Sequence, residues 1–280
     1  MAEIVIAIPH AGVALPDDLA PTPLPHVTPE FLRTQSDAFT DRVYSLPGVR
    51  TVKYPWSRFV ADPNRSPRQT TEGGVVPVTD FAEQPMYPPG GKPTQEQREE
   101  RIEKYHRPYH AELTRAVNDP RTRFFIDGHS MCGTPPVRSP DHGLQRPDAV
   151  ISNLGDSHGY PAPGAPYLTC PTPLTQWLTD RLSHWMLAIH APDAGARAAV
   201  RGSVWINNPF LGGYGVRNHA SLSHDRPGVQ LELNQRLWTD EELWVPLERR
   251  IPWMREVLRR WCEEIVDRIK IEPKFASRAG

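Results

Sequence analysis

Two histidines in this chain each follow a run of apolar residues. Ile4-Val5-Ile6-Ala7-Ile8 leads into Pro9-His10-Ala11-Gly12, and Phe124-Phe125-Ile126 leads into Asp127-Gly128-His129-Ser130-Met131. An imidazole at such a point is a metal ligand or a proton carrier, and open α/β sheets gather their ligands at the carboxyl ends of strands. A third run, Val229-Gln230-Leu231-Glu232-Leu233-Asn234, alternates strictly, so Glu232 shares a face with Gln230 and Asn234, opposite Val229, Leu231 and Leu233. A carboxylate on an inner strand is costly to bury unless it is paired or working, whereas an edge strand would simply leave it in water. Asp37 and Asp41 are four apart, hence on one face of a helix expected from Pro29 to about Leu46, with Thr28 at its N-cap. Two histidines and one carboxylate, with a fourth position left to water, make the donor set of a catalytic zinc site. A further Glu is the kind of residue that takes a proton from water and hands it to a leaving amine. His10, Asp37, His129 and Glu232 are therefore the candidate set, and its chemistry is amide hydrolysis.

Cations stand nearby in sequence. The segment 57–65 carries Arg58, Asn64 and Arg65, and a guanidinium beside an amide suits an amino-acid-like anion, although a surface ion-pair loop reads the same way. The glycine-rich stretch 207–219 ends in Arg217 and His219 but lacks the Lys-Ser/Thr of a phosphate loop, which argues against nucleotides. His106 and His110 are one helical turn apart, yet no Glu lies between them as the zinc-protease helix motif requires. One is expected to pack under the sheet and the other to be hydrogen-bonded or exposed.

These residues must be positioned by 280 residues in which 32 Lys and Arg nearly cancel 33 Asp and Glu, so nothing points to nucleic acid or an anionic membrane. No apolar stretch approaches the roughly 20 residues of a membrane span. Three widely spaced cysteines, Cys132, Cys170 and Cys262, and a start without a basic leader fit a reducing cytoplasm. Strand-like runs near residues 4–8, 49–54, 124–131, 148–154, 204–206 and 229–234 interleave with helical stripes. The stripes are Ile102, Tyr105, Tyr109, Leu113, Val117; then Leu174, Leu178, Leu182, Met186; and finally Ile251, Met254, Leu258, Trp261, Ile265. A capping box at Thr239-Asp240-Glu241-Glu242 is expected to open the last helix, and Pro108 to kink the 95–117 helix. This order predicts one α/β domain of three layers, αβα, with a mixed, mainly parallel sheet over residues 1–272 and a frayed tail at 273–280.

The segments around His10, Asp37, 57–65, 105–110, His129, 147–155, 209–219 and 229–236 resemble, in this order, the N-formylglutamate amidohydrolase family. That resemblance, over most of the chain, implies a phosphorylase/hydrolase-like fold akin to zinc carboxypeptidases. It implies one divalent zinc on His10, Asp37 and His129, with Glu232 as general base. Asn64 and Arg65 resemble the pair that carboxypeptidases turn to a substrate carboxylate, with Arg58 and Arg217 as further substrate-binding candidates. The implied reaction is release of formate and L-glutamate from N-formyl-L-glutamate, a step of histidine breakdown, by a monomer or small homo-oligomer whose only partner is its N-acyl amino acid substrate. Two features depart from the pattern. Ala11-Gly12-Val13 after His10 lacks the His-x-x-Glu of carboxypeptidases, which leaves Asp37, with Asp41 in reserve, as the carboxylate ligand. Met131-Cys132-Gly133-Thr134 lacks a basic residue expected after the metal histidine, which leaves the amino acid open. The alternatives are a related zinc amidase or carboxypeptidase acting on another acyl amino acid or a peptide, and a non-catalytic metal- or amino-acid-binding protein.

Overall fold

The computed structural model describes residues 1–136, 139, 141–164, 167–222 and 225–271. Six strands form its main sheet: β1 (Ile4–Ile8), β2 (Arg50–Lys53), β3 (Phe124–Met131), β4 (Ala149–Ser152), β5 (Val204–Ile206) and β6 (Gly228–Asn234), in the order β2-β1-β3-β6-β4-β5. All neighbours run parallel except β6 and β4. The sequence patterns explain the layers. Odd and even residues of a strand face opposite ways, so Ile4, Ile6 and Ile8, Phe124 and Ile126, and Val229, Leu231 and Leu233 enter one core. Helices α5 (Thr172–Ala188), α6 (Ala194–Ala199) and α8 (Arg250–Ile271) cover that core. Val5, Ala7 and Phe125 enter the other, beneath α4 (Arg107–Val117) and α7 (Tyr214–His219). The expected αβα layering and mixed, mainly parallel sheet are present, and β6 is an inner strand.

Three expectations are corrected. The helix anticipated from Pro29 to about Leu46 is two short ones, α1 (Pro29–Thr34) and α2 (Thr40–Val43). Phe39 takes φ 61° between them, a left-handed conformation that interrupts helical hydrogen bonding. Asp37 and Asp41 consequently do not share a helix face. At Thr239-Asp240-Glu241-Glu242 there is no helix start. Thr239–Asp240 pairs with Val245–Pro246, and Asp240 Oδ1 accepts the backbone N–H groups of Glu242 and Leu243, which closes a turn. The capping box belongs instead to α3 (Gln95–Arg101), where Thr94 and Gln97 cap each other. In place of a simple proline kink, a π-helical segment, Ile102–His106, joins α3 to α4 just before Pro108; such one-turn insertions turn side chains out of the α register. The tail expected at 273–280 lies outside the described residues. Among the described residues no helix is long and apolar enough to cross a membrane.

Candidate active site

The carboxyl ends of the three central strands β1, β3 and β6 meet on the face covered by α4 and α7. Since Phe125 faces that layer, Asp127 and His129 do too. The parallel register sets Gln230 beside Asp127 and Glu232 beside His129. His10 follows the last residue of β1 by one proline. Asp37 reaches the same point from the break between α1 and α2, its backbone N–H donating to the His10 carbonyl (3.1 Å) and its carbonyl accepting from Thr40 Oγ1 (2.7 Å).

His10, Asp37 and His129 are buried, and one ligand atom from each lies within 4.8 Å of the others. Asp37 Oδ2 is 3.1 Å from His129 Nδ1 and 3.7 Å from His10 Nδ1, and it accepts the Ser130 backbone N–H at 3.0 Å. Each ring turns its other nitrogen to a second carboxylate. His10 Nε2 is 2.8 Å from Asp62 Oδ1, and His129 Nε2 is 3.3 Å from Asp127 Oδ1. This is the carboxylate–histidine arrangement that fixes ring orientation at metal centres. Glu232, buried, accepts Gln230 Nε2–H at 2.8 Å, while Gln230 Oε1 accepts the Gly213 N–H at 2.6 Å. Asp41, the reserve ligand, is elsewhere, on Lys53 Nζ at 2.8 Å.

The electrostatics are those of a donor set short of positive charge. Burial alone would raise the Asp37 carboxyl, but His10 and His129 hold it well below the usual range. Burial would lower His129, but Asp127, Asp37 and Glu232 hold it well above its ordinary value. Glu232 is pushed up to about 8, first by burial and then by the charges of Asp37 and Asp127, against His129 and Arg146. Four buried carboxylates, Asp37, Asp62, Asp127 and Glu232, thus crowd two imidazoles. Hard or borderline divalent cations take such nitrogen and carboxylate donors, so the residues fit a metal ion.

The cleft above them holds about 1070 Å³ and is lined in part by Arg58, Asn64, Arg65, Arg146, Phe210 and Arg217. Arg58 is committed: its Nε and Nη2 both donate to Asp62 Oδ2, at 3.1 and 2.5 Å, and it covers the Phe81 ring. Arg146 is likewise held by both oxygens of Asp141 and by the Cys132 carbonyl. Arg65 has only a long bond to the Asn64 carbonyl (3.3 Å), and Arg217 one to that of Gly212 (3.1 Å); neither meets a carboxylate among the described residues. Asn64 is built into the wall. Its Oδ1 accepts the Gly215 N–H at 2.9 Å and its Nδ2 lies 3.3 Å from His129 Nε2. Gly215 itself has no room for a side chain, because a Cβ would stand 2.3 Å from Asp127 Oδ2.

All four residues of the candidate set therefore converge, with Arg58, Asn64, Arg65 and Arg217 around one cleft. Sequence reasoning passed over Asp62, Asp127, Gln230 and Arg146. Asp127 was findable, since residues two apart on a strand share a face; Asp62, 52 residues from His10, gave no such signal. His106 and His110, of which one was expected to pack under the sheet and the other to be hydrogen-bonded or exposed, are both buried and both hydrogen-bonded to backbone carbonyls.

Burial, then His106 and His219, lowers His110 to about 3, and burial lowers His219 to about 4. The unfolded chain takes up a proton at His110 near its ordinary 6.5, whereas the folded protein refuses it until about 3, so this contribution to stability is present above pH 6.5 and is lost as pH falls through that window. His110→Gln removes one such proton. In chelator, its unfolding free energy is expected to fall less steeply between about pH 6 and 4, by about 1.4 kcal/mol per pH unit. Urea titrations at several pH values measure the slope, and equal slopes in both proteins would contradict a neutral, buried His110.

An α/β sheet with two histidines and a carboxylate gathered at the carboxyl ends of its strands, under a cleft lined by Arg65 and Arg217, offers nitrogen and carboxylate donors for a divalent ion beside cations for an anionic ligand. The model of the N-formylglutamate amidohydrolase family matches residues 2–239, and the chain belongs to that family. It is 26% identical over 257 residues to the N-formylglutamate deformylase of Pseudomonas putida, an alignment covering 85% of this chain and 82% of that protein. The fold is similar to the crystal structure of an N-formylglutamate amidohydrolase from Ralstonia eutropha JMP134, with a TM-score of 0.70, 22% identity and coverage of 96% of this chain and 94% of the other. A gene product of Agrobacterium tumefaciens has a similar structure at TM-score 0.59 and 16% identity, over 94% of this chain and 91% of its own.

Proposed function

We propose that this chain hydrolyses the amide of an N-acyl amino acid, N-formyl-L-glutamate foremost, to formate and L-glutamate. The observation that carries the reading is Glu232 standing in register beside His129 at the His10–Asp37–His129 cluster, in the same cleft as an uncommitted Arg65. A divalent metal, zinc by its donor set, would be held by His10, Asp37 and His129 and would supply Lewis acidity toward the acyl carbonyl and toward water.

The chain's own residues do the rest. Arg65, with Arg217 in the same cleft, binds the carboxylates of the substrate and sets its acyl group over the cluster; a guanidinium fork matches a carboxylate through two parallel hydrogen bonds. Asn64 keeps the glycine loop of Gly213 and Gly215 against Arg65's segment. Arg58 contributes through Asp62, and so through the orientation of His10, rather than by touching substrate. Glu232 takes the proton of the attacking water and delivers it to the amide nitrogen, so that the amine leaves neutral. Gln230 aims the carboxylate by donating to its Oε1.

The experiment is metal analysis of the purified protein together with formate and amine release from N-formyl and N-acetyl amino acids, with and without chelator. One metal per chain and chelator-sensitive cleavage of formyl-glutamate are expected. Turnover that survives full metal removal, or no turnover of any acyl amino acid, would sink the reading.

A further inference from the structure

Three buried histidines lie behind the segment 62–65, outside the cleft. His106 Nε2 is 2.9 Å from the carbonyl oxygen of Arg65, and His110 Nε2 is 2.9 Å from that of Pro63. Each ring donates to a carbonyl, one on either side of Asn64. With its proton on Nε2, His110 presents Nδ1 as an acceptor, and His219 Nε2–H supplies the donor at 2.8 Å; the two ring planes lie 5° from parallel with centroids 5.1 Å apart, as an in-line ring-to-ring hydrogen bond requires. Tyr214 closes the group, its ring edge-on to His110 and its backbone N–H reaching toward the Asn64 carbonyl at 3.4 Å. Three consecutive carbonyls, of Pro63, Asn64 and Arg65, are thereby engaged by His110, Tyr214 and His106. The π-helical segment ends at His106 and sets its ring 4.4 Å from that of His110, so both reach the same short stretch of chain.

Asn64 and Arg65 face the cleft, whereas none of the three histidines lines it. We infer that His106, backed by His110 and His219, is a positioning residue for substrate binding, fixing the backbone from which Arg65 meets the substrate carboxylate. The inference rests on the proposed docking of that carboxylate on Arg65. Asp62, in the same segment, is anchored separately by Arg58 and His10, so loosening His106 should disturb binding of substrate more than the reaction of bound substrate.

The test uses metal-loaded full-length protein. His106→Phe keeps the ring's bulk and loses the donor, His106→Leu is a second donor-free variant in case the first misfolds, and His106→Gln restores an N–H at similar reach. Steady-state kinetics on N-formyl-L-glutamate are measured beside deuterium exchange of the 57–68 backbone amides. The donor-free variants are expected to raise KM about tenfold, the effect of one lost hydrogen bond, with kcat within about threefold, and to speed exchange of the segment; His106→Gln should reverse both. Unchanged KM and exchange in the donor-free variants, a fall in kcat at constant KM, or a Gln variant no better than Phe would each overturn the inference. If the wild type does not cleave the substrate, the docking reading fails instead, and exchange alone decides: faster exchange that Gln reverses upholds the positioning role, and unchanged exchange removes it.

Discussion

Glu232→Gln is expected to lower kcat by roughly 10²- to 10⁴-fold, the range for losing a positioned general base, with metal content and KM close to wild type. The substitution keeps side-chain volume and the acceptor for Gln230 Nε2–H, and it touches none of His10, Asp37 or His129. What is lost is the ability to carry a proton between water and the amide nitrogen. The same change has an opposite effect on stability. In the metal-free protein, folded Glu232 is pushed up to about 8 from an ordinary 4.5. Between these values the folded state keeps a proton that the unfolded chain has released, so wild-type stability declines as pH rises through the window. A neutral glutamine has no such penalty. The metal-free variant is therefore expected to be more stable than the metal-free wild type at pH 8, by several of the roughly 1.4 kcal/mol steps that each pH unit represents. Kinetics with metal and urea unfolding in chelator measure the two effects. Retained turnover would remove Glu232 from the base's role, and a less stable variant at pH 8 would contradict the burial of its charge.

Asp62→Asn is the second large effect. One carboxylate oxygen lies against His10 Nε2 and accepts the Asn64 backbone N–H, both at 2.8 Å, and the other accepts two bonds from Arg58. Arg58 and His10 hold Asp62 well below the usual carboxylate range despite its burial, so the pairing lasts at any pH above the ordinary 3.8 and weakens only in stronger acid. An asparagine still accepts from His10 and Asn64, but it must turn its own NH₂ toward the guanidinium, whose side chain is only 12% exposed. Removing one partner of a buried ion pair typically costs about 3–5 kcal/mol, and removing the carboxylate behind a metal-binding histidine weakens metal affinity roughly 10- to 100-fold. Thermal unfolding and competitive metal titration read these separately. An unchanged melting temperature would show that Arg58 finds other partners, and unchanged affinity would deny Asp62 its hold on His10.

Much of this site could be read from the chain because strands impose a period. His10 and His129 follow apolar runs, Glu232 sits on an alternating one, and parallel sheets bring such strand ends together. Asp37 was reached by a poorer route. Its spacing from Asp41 suggested a shared helix face, yet the helix breaks at Phe39, and a bent backbone carries Asp37 to His10. The layer behind His10 and His129 was not legible. Asp62 meets His10, and His110 meets His219, through the packing of loops and helices distant in sequence. No local periodicity encodes such contacts. The π-helical segment that brings His106 onto Arg65 is equally silent, since its apolar stripe reads as an ordinary amphipathic helix.

The pairing of β3 with β6 sets His129 beside Glu232 across one inter-strand spacing. Strand pairing admits no half-steps: a slip of one residue sends Glu232 to the opposite face, among Val229, Leu231 and Leu233's own core. A register error at this pairing therefore removes the juxtaposition of Glu232 and His129 outright rather than by degrees, and a population containing such errors divides into molecules that have it and molecules that do not.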